Sequence, residues 1–365
     1  MSTALRHAAD RAAHEPGFLA HDLYRLASVA GTNREILAEE LQVDVARFDE
    51  LALCRTPRRD ERFHAEVEAI ARLVDASPWH LGNLLRLVDC FDALSTAKPS
   101  AVAPVLAAAR QEHEPVARPE LKGRGLQPKW LLDAVRLIWG SAHGPREQFP
   151  RDVELAVLWR LPLAIIQLPN LSGAGIVEWL AARGITLPVH TPPGGLRGGL
   201  VAYAGSGVLF VDANDDPAER RVTLAHESAH FVMDYWLPRQ ELAERAPHLL
   251  AVVDGLRPAS DDDHVDALLA RAPFGLQTHL FERDAYGAML TPHVQQLEKR
   301  AAQVSWELLA PQAVVTEYLS DTDPFGLVRT LETHFGLPRS TAREYSQHLR
   351  RALSPKRGHR RFDWD

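Results

Sequence analysis

The stretch Asp216-Pro-Ala-Glu-Arg-Arg-Val-Thr-Leu-Ala-His-Glu-Ser-Ala-His230 decides the fold around it. Asp216 is a favourable N-cap, Pro217 suits the first helical position and Glu219 can complete the cap, so a helix is predicted from here to about Tyr235. Apolar residues recur along this helix at spacings of three and four and form one stripe that can pack into a core. They are Val222, Ala225, Ala229, Val232 and Trp236. The polar residues lie on the opposite edge.

That polar edge carries His226, Glu227 and His230, an H-E-x-x-H pattern. One helical turn separates the two histidines, so both imidazoles can reach a single tetrahedral zinc ion. Glu227 projects beside them, where it can act as general base toward a water whose pKa the metal lowers to about 7. The pattern predicts a catalytic site with one zinc ion. A surface helix with two solvated histidines and a metal site without catalysis are the alternatives.

A catalytic zinc ion usually has three protein ligands, so a further ligand is needed. Asp234 is the nearest candidate, one turn beyond His230. Three ligands at successive turns of one straight helix would spread over about 12 Å, which is too far for a short carboxylate to converge on the ion. Asp234 is therefore expected to orient a ligand, and the third ligand is expected from another part of the chain.

The residues before this helix favour an α+β fold. Leu163–Leu168 is an apolar run of strand length, and a helix is predicted at about 173–183. Two further apolar runs, 200–204 and 208–211, are joined by a glycine-containing turn and predict a β-hairpin. An edge of this hairpin beside the metal could hold an extended peptide through main-chain hydrogen bonds. The expected fold is mainly helical, with a small β-sheet next to the zinc-binding helix, as in zincin-like peptidases.

These segments resemble the ImmA/IrrE family of zinc metallopeptidases, cytoplasmic bacterial proteins that cleave transcriptional repressors. The similarity covers about Leu161 to Pro311 and is interrupted by an insertion at about 241–290. Its strongest pieces are 207–212, 221–231 and 298–311. The last piece resembles the second signature helix of the family, and this resemblance implies that Glu298 is the third zinc ligand.

The insertion contains the acidic run Asp261-Asp262-Asp263-His264. Such a run could bind a second metal, but a helix N-cap and a solvated turn are the favoured interpretation. An insertion between the two helices that carry the metal ligands is well placed to line one side of the active-site cleft. It is therefore expected to act as a lid or to set specificity.

Residues 1–97 are predicted to form a helical domain that resembles a helix-turn-helix, with helices at 33–41 and 44–51. The second of these helices carries Asp44, Asp49 and Glu50 against Arg47 alone, and acidic groups repel phosphates. A role in protein interaction or sensing is favoured over DNA binding. The alternative function for the whole chain is a DNA-binding transcriptional regulator with a structural or inactive zinc site.

The remaining regions are a linker at 98–127, a peptidase domain at 128–315 and a C-terminal helical region at 316–365 that ends in a basic tail. The net charge of −7 gives no overall attraction to nucleic acid. Cys54 and Cys90, the only cysteines, favour a reducing cytoplasm over a disulfide framework. Neither a signal peptide nor a membrane span is recognisable, so a cytoplasmic protein with a protein or peptide substrate is expected.

Overall fold

One four-stranded β-sheet lies among helices, which confirms the predicted mainly helical α+β class. The computed structural model describes residues 3–95, 127–140, 148–186, 194–254, 256–258, 260–263, 277–282, 292–318 and 326–353. The predicted linker up to residue 126, His264 and the basic tail lie outside these residues. Across the described ranges, every helix is too short or too polar to cross a membrane.

The N-terminal helices are α1 (Thr3–Ala12), α2 (Leu19–Ala30), α3 (Arg34–Glu40), α4 (Val45–Ala52), α5 (Phe63–Val74) and α6 (Pro78–Ser95). The central helices are α7 (Lys129–Trp139), α8 (Val153–Arg160), α9 (Gly173–Ala181), α10 (Pro217–His230), α11 (Leu237–Arg245) and α12 (Leu250–Val253). The C-terminal helices are α13 (Pro292–Leu309), α14 (Gln312–Val315), α15 (Gly326–Thr333) and α16 (Arg339–Leu353). A π-helical turn (Phe231–Trp236) joins α10 to α11, and short 3-10 turns cover Pro247–Leu249 and Thr316–Tyr318.

The strands are β1 (Leu163–Leu168), β2 (Leu196–Tyr203), β3 (Ser206–Asp212) and β4 (Gln277–Glu282), and they lie in the order β1-β3-β2-β4. β1 runs parallel to β3, whereas β2 is antiparallel to both β3 and β4. The predicted hairpin is confirmed as β2 and β3. Its turn places Ala204 and Gly205 at φ values of 46° and 87°, the sign that a tight two-residue hairpin turn requires.

β4 belongs to the insertion and was not predicted. It pairs with β2 from Leu196 to Ala202, so that neither strand of the hairpin keeps a free edge. The expectation that a peptide docks directly on the hairpin edge is therefore wrong for this conformation.

Both faces of the sheet are buried, because side chains of β2 and β3 alternate between two cores. Val201 and Phe210 face a core built with the N-terminal helices and α9. Leu200 and Leu209 face a second core, built with α7, α8, α10, α13 and the C-terminal helices. Burial on both sides explains why the strands appear in the sequence as almost continuous apolar runs.

The β1 edge of the sheet is closed by α6. Asn83 donates to Ile165 O at 2.8 Å and accepts from Ile165 N at 2.7 Å, so one side chain satisfies both main-chain groups of a strand residue. Cys90 Sγ donates to Gly207 O at 2.9 Å. The N-terminal helices thus cover a strand edge that would otherwise present unpaired main-chain groups.

The two helices predicted for the helix-turn-helix-like pattern are present as α3 and α4. Gln42 in the turn between them adopts φ 55°, a conformation that glycine normally supplies. Arg34 is engaged internally, with Asp49 at 3.0 Å and with Val45 O at 2.7 Å. The role of this pair of helices in protein interaction or sensing stays a prediction, with DNA binding as the alternative.

Candidate metal centre

The helix that carries the H-E-x-x-H pattern begins as its sequence predicts. Asp216 accepts from the main-chain N–H groups of Ala218 and Glu219 at 2.8 and 3.0 Å, and Pro217 occupies the first turn. The α-helix ends at His230 and continues as the π-helical turn, where the prediction had one regular helix to about Tyr235. Single π-helical turns are frequent at functional sites.

The polar edge of α10 is buried, although the sequence places it opposite the apolar stripe. His226, Glu227 and His230 are 6%, 0% and 3% exposed. α13 packs along this edge, and His279 of β4 contacts Glu227 there. Burial of a carboxylate between two imidazoles is costly unless the groups are paired, so the solvated-histidine alternative does not describe this helix.

Glu298, on α13, lies against both histidines. Its Oε2 is 3.1 Å from His226 Nε2, and its Oε1 is 3.4 Å from His230 Nε2. The two histidine Nε2 atoms are 3.2 Å apart. The structure therefore brings together the three residues expected to hold the metal, from two separate helices.

These separations fit a single tetrahedral ion. Donor atoms at about 2.0–2.2 Å from zinc in tetrahedral geometry lie about 3.3–3.6 Å from one another. The histidine Nε2 atoms are 3.2 Å apart and lie 3.1 and 3.4 Å from the two oxygens of Glu298, which is close to this range. Two imidazoles and a carboxylate are also the donor types that zinc takes in hydrolytic sites. The group formed by His226, His230, His279 and Glu298 could accordingly hold a metal ion, with one donor atom of each residue within 4.8 Å of all the others.

Asp234 occupies the place expected of a residue that orients a ligand. Its Oδ2 is 2.7 Å from His230 Nδ1, which fixes the ring so that Nε2 faces His226 and Glu298. Ligating histidines usually donate their second N–H to such a carboxylate.

His279 was missed by sequence reasoning. Its Nδ1 is 2.8 Å from Glu227 Oε2, its Nε2 is 2.8 Å from Glu298 Oε1, and its ring stacks on His230 with centroids 3.8 Å apart. A lone histidine within an insertion carries no recognisable spacing, so only the pairing of β4 with β2 reveals its place. In the acidic run that drew attention instead, Asp263 has a structural role, since it pairs with Arg257 at 2.6 Å and accepts from Ser260 N at 2.8 Å.

The space around Glu227 depends on Gly198. A Cβ at Gly198 would stand 3.0 Å from Glu227 Cγ, 3.2 Å from Glu227 Oε1 and 2.5 Å from Thr223 Cγ2. Glu227 Oε1 faces this wall and, among the described residues, has no hydrogen-bond partner. The glycine on β2 thus lets the helix approach the sheet closely enough to bury the carboxylate.

The electrostatics of the cluster keep the carboxylates ionised. Burial by itself would raise the pKa of Glu227, but His279, His226 and His230 outweigh burial and lower it. Burial likewise opposes ionisation of Glu298, yet the same three histidines hold its pKa well below the ordinary range. For His279, burial lowers the pKa, but Glu227 and Glu298 outweigh it and raise the pKa to about 10. Burial lowers the pKa of His226, which favours the neutral ring that a metal needs.

Residues 185–249 match the family model of the IrrE N-terminal-like domain, Peptidase_M78. No curated protein and no solved structure matches the chain. The matched segment contains the hairpin and the helix with His226, Glu227 and His230, while the N-terminal helices, β4 and α13 lie outside it. The resemblance to the ImmA/IrrE family is therefore confirmed over these residues, which are similar to the metallopeptidase-like Peptidase_M78 family.

Proposed function

We propose that the protein is a zinc-dependent regulatory endopeptidase that hydrolyses a peptide bond in a protein target. In this proposal His226, His230 and Glu298 hold the ion and Glu227 is the general base. One observation carries it: donor atoms from two helices, with His226 and Glu298 72 residues apart in the chain, converge at separations suited to one zinc ion.

The ion would supply Lewis-acid polarisation of the scissile carbonyl and a water of lowered pKa. The chain supplies a base beside that position. Glu227 is fully buried and ionised, so it can accept a proton from water and later return it to the leaving amine. Asp234 keeps the His230 ring in the orientation in which Nε2 faces the other donors.

The target class is proposed from the family resemblance. Proteins of the ImmA/IrrE family cleave transcriptional repressors, and we propose that the helical N-terminal region here recruits a target or senses a signal. A protein substrate is consistent with an acidic chain that has no general attraction to nucleic acid.

The test compares wild type with Glu227→Gln in a bacterial extract, with labelling of newly formed N-termini followed by mass spectrometry. Glu241→Gln makes the same chemical change at an exposed position and is the matched control. We expect a fragment that appears with wild type and Glu241→Gln and is absent with Glu227→Gln. Zinc content is measured in parallel by elemental mass spectrometry. The same fragments in all three samples would reject the proposed activity.

One observation favours the rival function, a DNA-binding regulator with a structural zinc site. Structural zinc sites have four protein donors, whereas catalytic sites keep a position for water, and His279 supplies a fourth side chain here. The rival predicts stoichiometric zinc, no fragment that depends on Glu227, and sequence-selective retention of DNA. Salt-dependent binding without sequence preference would not support it, because phosphate contacts alone produce that behaviour.

A further inference from the structure

β4 takes the place on the sheet that an extended peptide substrate would need. Its main chain pairs antiparallel with β2 from Leu196 to Ala202, and this is the pairing by which peptides add to a strand edge. Without β4, β2 would be the outer strand next to α10. We propose that β4 is an intramolecular occupant of the substrate position and must leave β2 before a peptide can be hydrolysed. This inference rests on the proposed function.

The His279 ring lies in the gap that catalysis needs. One nitrogen contacts Glu227 Oε2 and the other contacts Glu298 Oε1, both at 2.8 Å, so the ring spans the distance between the general base and the ligand group. The other oxygen of Glu227 is turned toward Gly198 and away from the gap. A water that touches both Glu227 and the ligand group would have to occupy the volume of the ring.

The orientation of the His279 ring differs from that expected of a fourth metal ligand. Both ring nitrogens of His279 lie against carboxylate oxygens, and these two contacts position the ring between Glu227 and Glu298. The ring is also stacked on His230 at an interplanar angle of 24°, whereas rings that bind one tetrahedral ion point at it from different directions. The ring thus blocks the centre without completing it.

Displacement of β4 is an exchange of one strand for another. In the described part of the chain β4 pairs with β2 alone, and Thr278 on its other face is exposed. A substrate strand would restore the main-chain hydrogen bonds that β4 gives up, whereas the His279 contacts would have no direct replacement. A target that binds β2 better than β4 does would shift the chain to its open state.

The experiment locks β4 in place with Val201→Cys/Thr278→Cys. These residues are directly paired, and paired residues of antiparallel strands have Cα atoms about 4.5–5.5 Å apart, which suits a disulfide. Cobalt is loaded in place of zinc, and the visible spectrum reports the binding of acetohydroxamate, a small bidentate metal ligand. We expect acetohydroxamate to bind the oxidised pair at least tenfold more weakly than the reduced pair, and the reduced pair to behave as wild type.

His279→Ala gives the second arm, which remains available if the cysteine pair does not fold. We expect it to bind acetohydroxamate at least tenfold more tightly than wild type, with no loss of cobalt affinity. Thr278→Ala, the neighbouring residue on the opposite face of β4, is the matched control and is expected to behave as wild type. Fragment formation in extract should vanish on oxidation of the cysteine pair and return on reduction.

Two kinds of failure are separable. Equal acetohydroxamate affinity with and without the lock, or a tenfold loss of cobalt affinity in His279→Ala, would overturn the inference and leave the metal site standing. If wild type binds no cobalt, or if Glu298→Ala does not weaken cobalt binding, the proposed function fails and the inference fails with it.

Discussion

Gly198→Ala should lower both the free energy of unfolding and the rate of hydrolysis, because the buried Glu227 side chain packs directly against this glycine. The added Cβ would lie 2.5 Å from Thr223 Cγ2, whereas carbon atoms in contact are separated by about 3.5–4.0 Å. The helix and β2 must therefore move apart by about 1 Å. Overpacking of this kind costs about 1–3 kcal/mol of unfolding free energy.

The same displacement acts on the base. Glu227 Cγ and Oε1 are the next atoms that the new methyl would meet, at 3.0 and 3.2 Å, so the carboxylate shifts with the helix. A misplacement of about 1 Å in a catalytic group can reduce the rate about 100-fold. We expect the rate of fragment formation to fall by about that factor while zinc content stays near one ion per chain, since the histidines and Glu298 move together.

Urea unfolding measures the first effect, and timed fragment formation measures the second. Thr223→Ser removes the Cγ2 atom that suffers the shortest contact and serves as the compensating change. The double variant Gly198→Ala/Thr223→Ser should regain at least half of the lost stability but little of the rate, because the Glu227 contacts remain. A Gly198→Ala protein as stable and as active as wild type would refute the role given to Gly198 in positioning Glu227.

Three further outcomes are expected. Glu227→Gln should keep the fold and the zinc content but remove hydrolysis, because an amide of nearly the same shape cannot accept the proton. Elemental analysis measures the zinc content and the fragment assay measures hydrolysis. Undiminished cleavage would contradict this prediction. Glu298→Ala should lower zinc occupancy sharply. Asp234→Ala should weaken zinc binding by about tenfold and keep most of the metal at micromolar zinc. A chelator competition measures both affinities, and the reverse order would reject Glu298 as a ligand. Burial raises the pKa of Cys90 to about 12 and also raises the pKa of Cys54. Iodoacetamide at pH 8 should therefore label both thiols slowly in the folded protein and quickly in urea. Rapid labelling of Cys90 in the folded protein would contradict its burial against β3.

The local parts of the site were predictable because local rules specify them. The Asp216 cap, the four-residue spacing of the histidines and the glycine-containing hairpin turn each act within a few residues. Their prediction therefore needed no knowledge of tertiary structure. The same applies to Asp234, whose place beside His230 follows from one helical turn.

The parts that depend on long-range contacts were predictable only in part. Glu298 and Glu307 both lie on α13, and periodicity alone does not choose between them. The family resemblance predicted Glu298, which lies outside the matched residues 185–249. Glu307 accepts hydrogen bonds from the Gln127 side chain and from the main-chain N–H of Gln312. β4 could not be predicted, because its pairing with β2 joins the insertion to residues far earlier in the chain, and no local pattern encodes that contact.

The burial of the H-E-x-x-H edge determines how the charges of the site are balanced when a metal ion binds or leaves. Glu227 and Glu298 are two ionised carboxylates in a confined space, and such charges are tolerated only with close partners of opposite charge. His279 reaches both of them, with one ring nitrogen 2.8 Å from an oxygen of each. A divalent cation bound by His226, His230 and Glu298 would bring positive charge to the same place. The ion and the His279 ring would then compete for the Glu298 carboxylate, so metal loading should favour departure of β4. β4, which blocks the centre, thus also stabilises its two carboxylates before the ion binds.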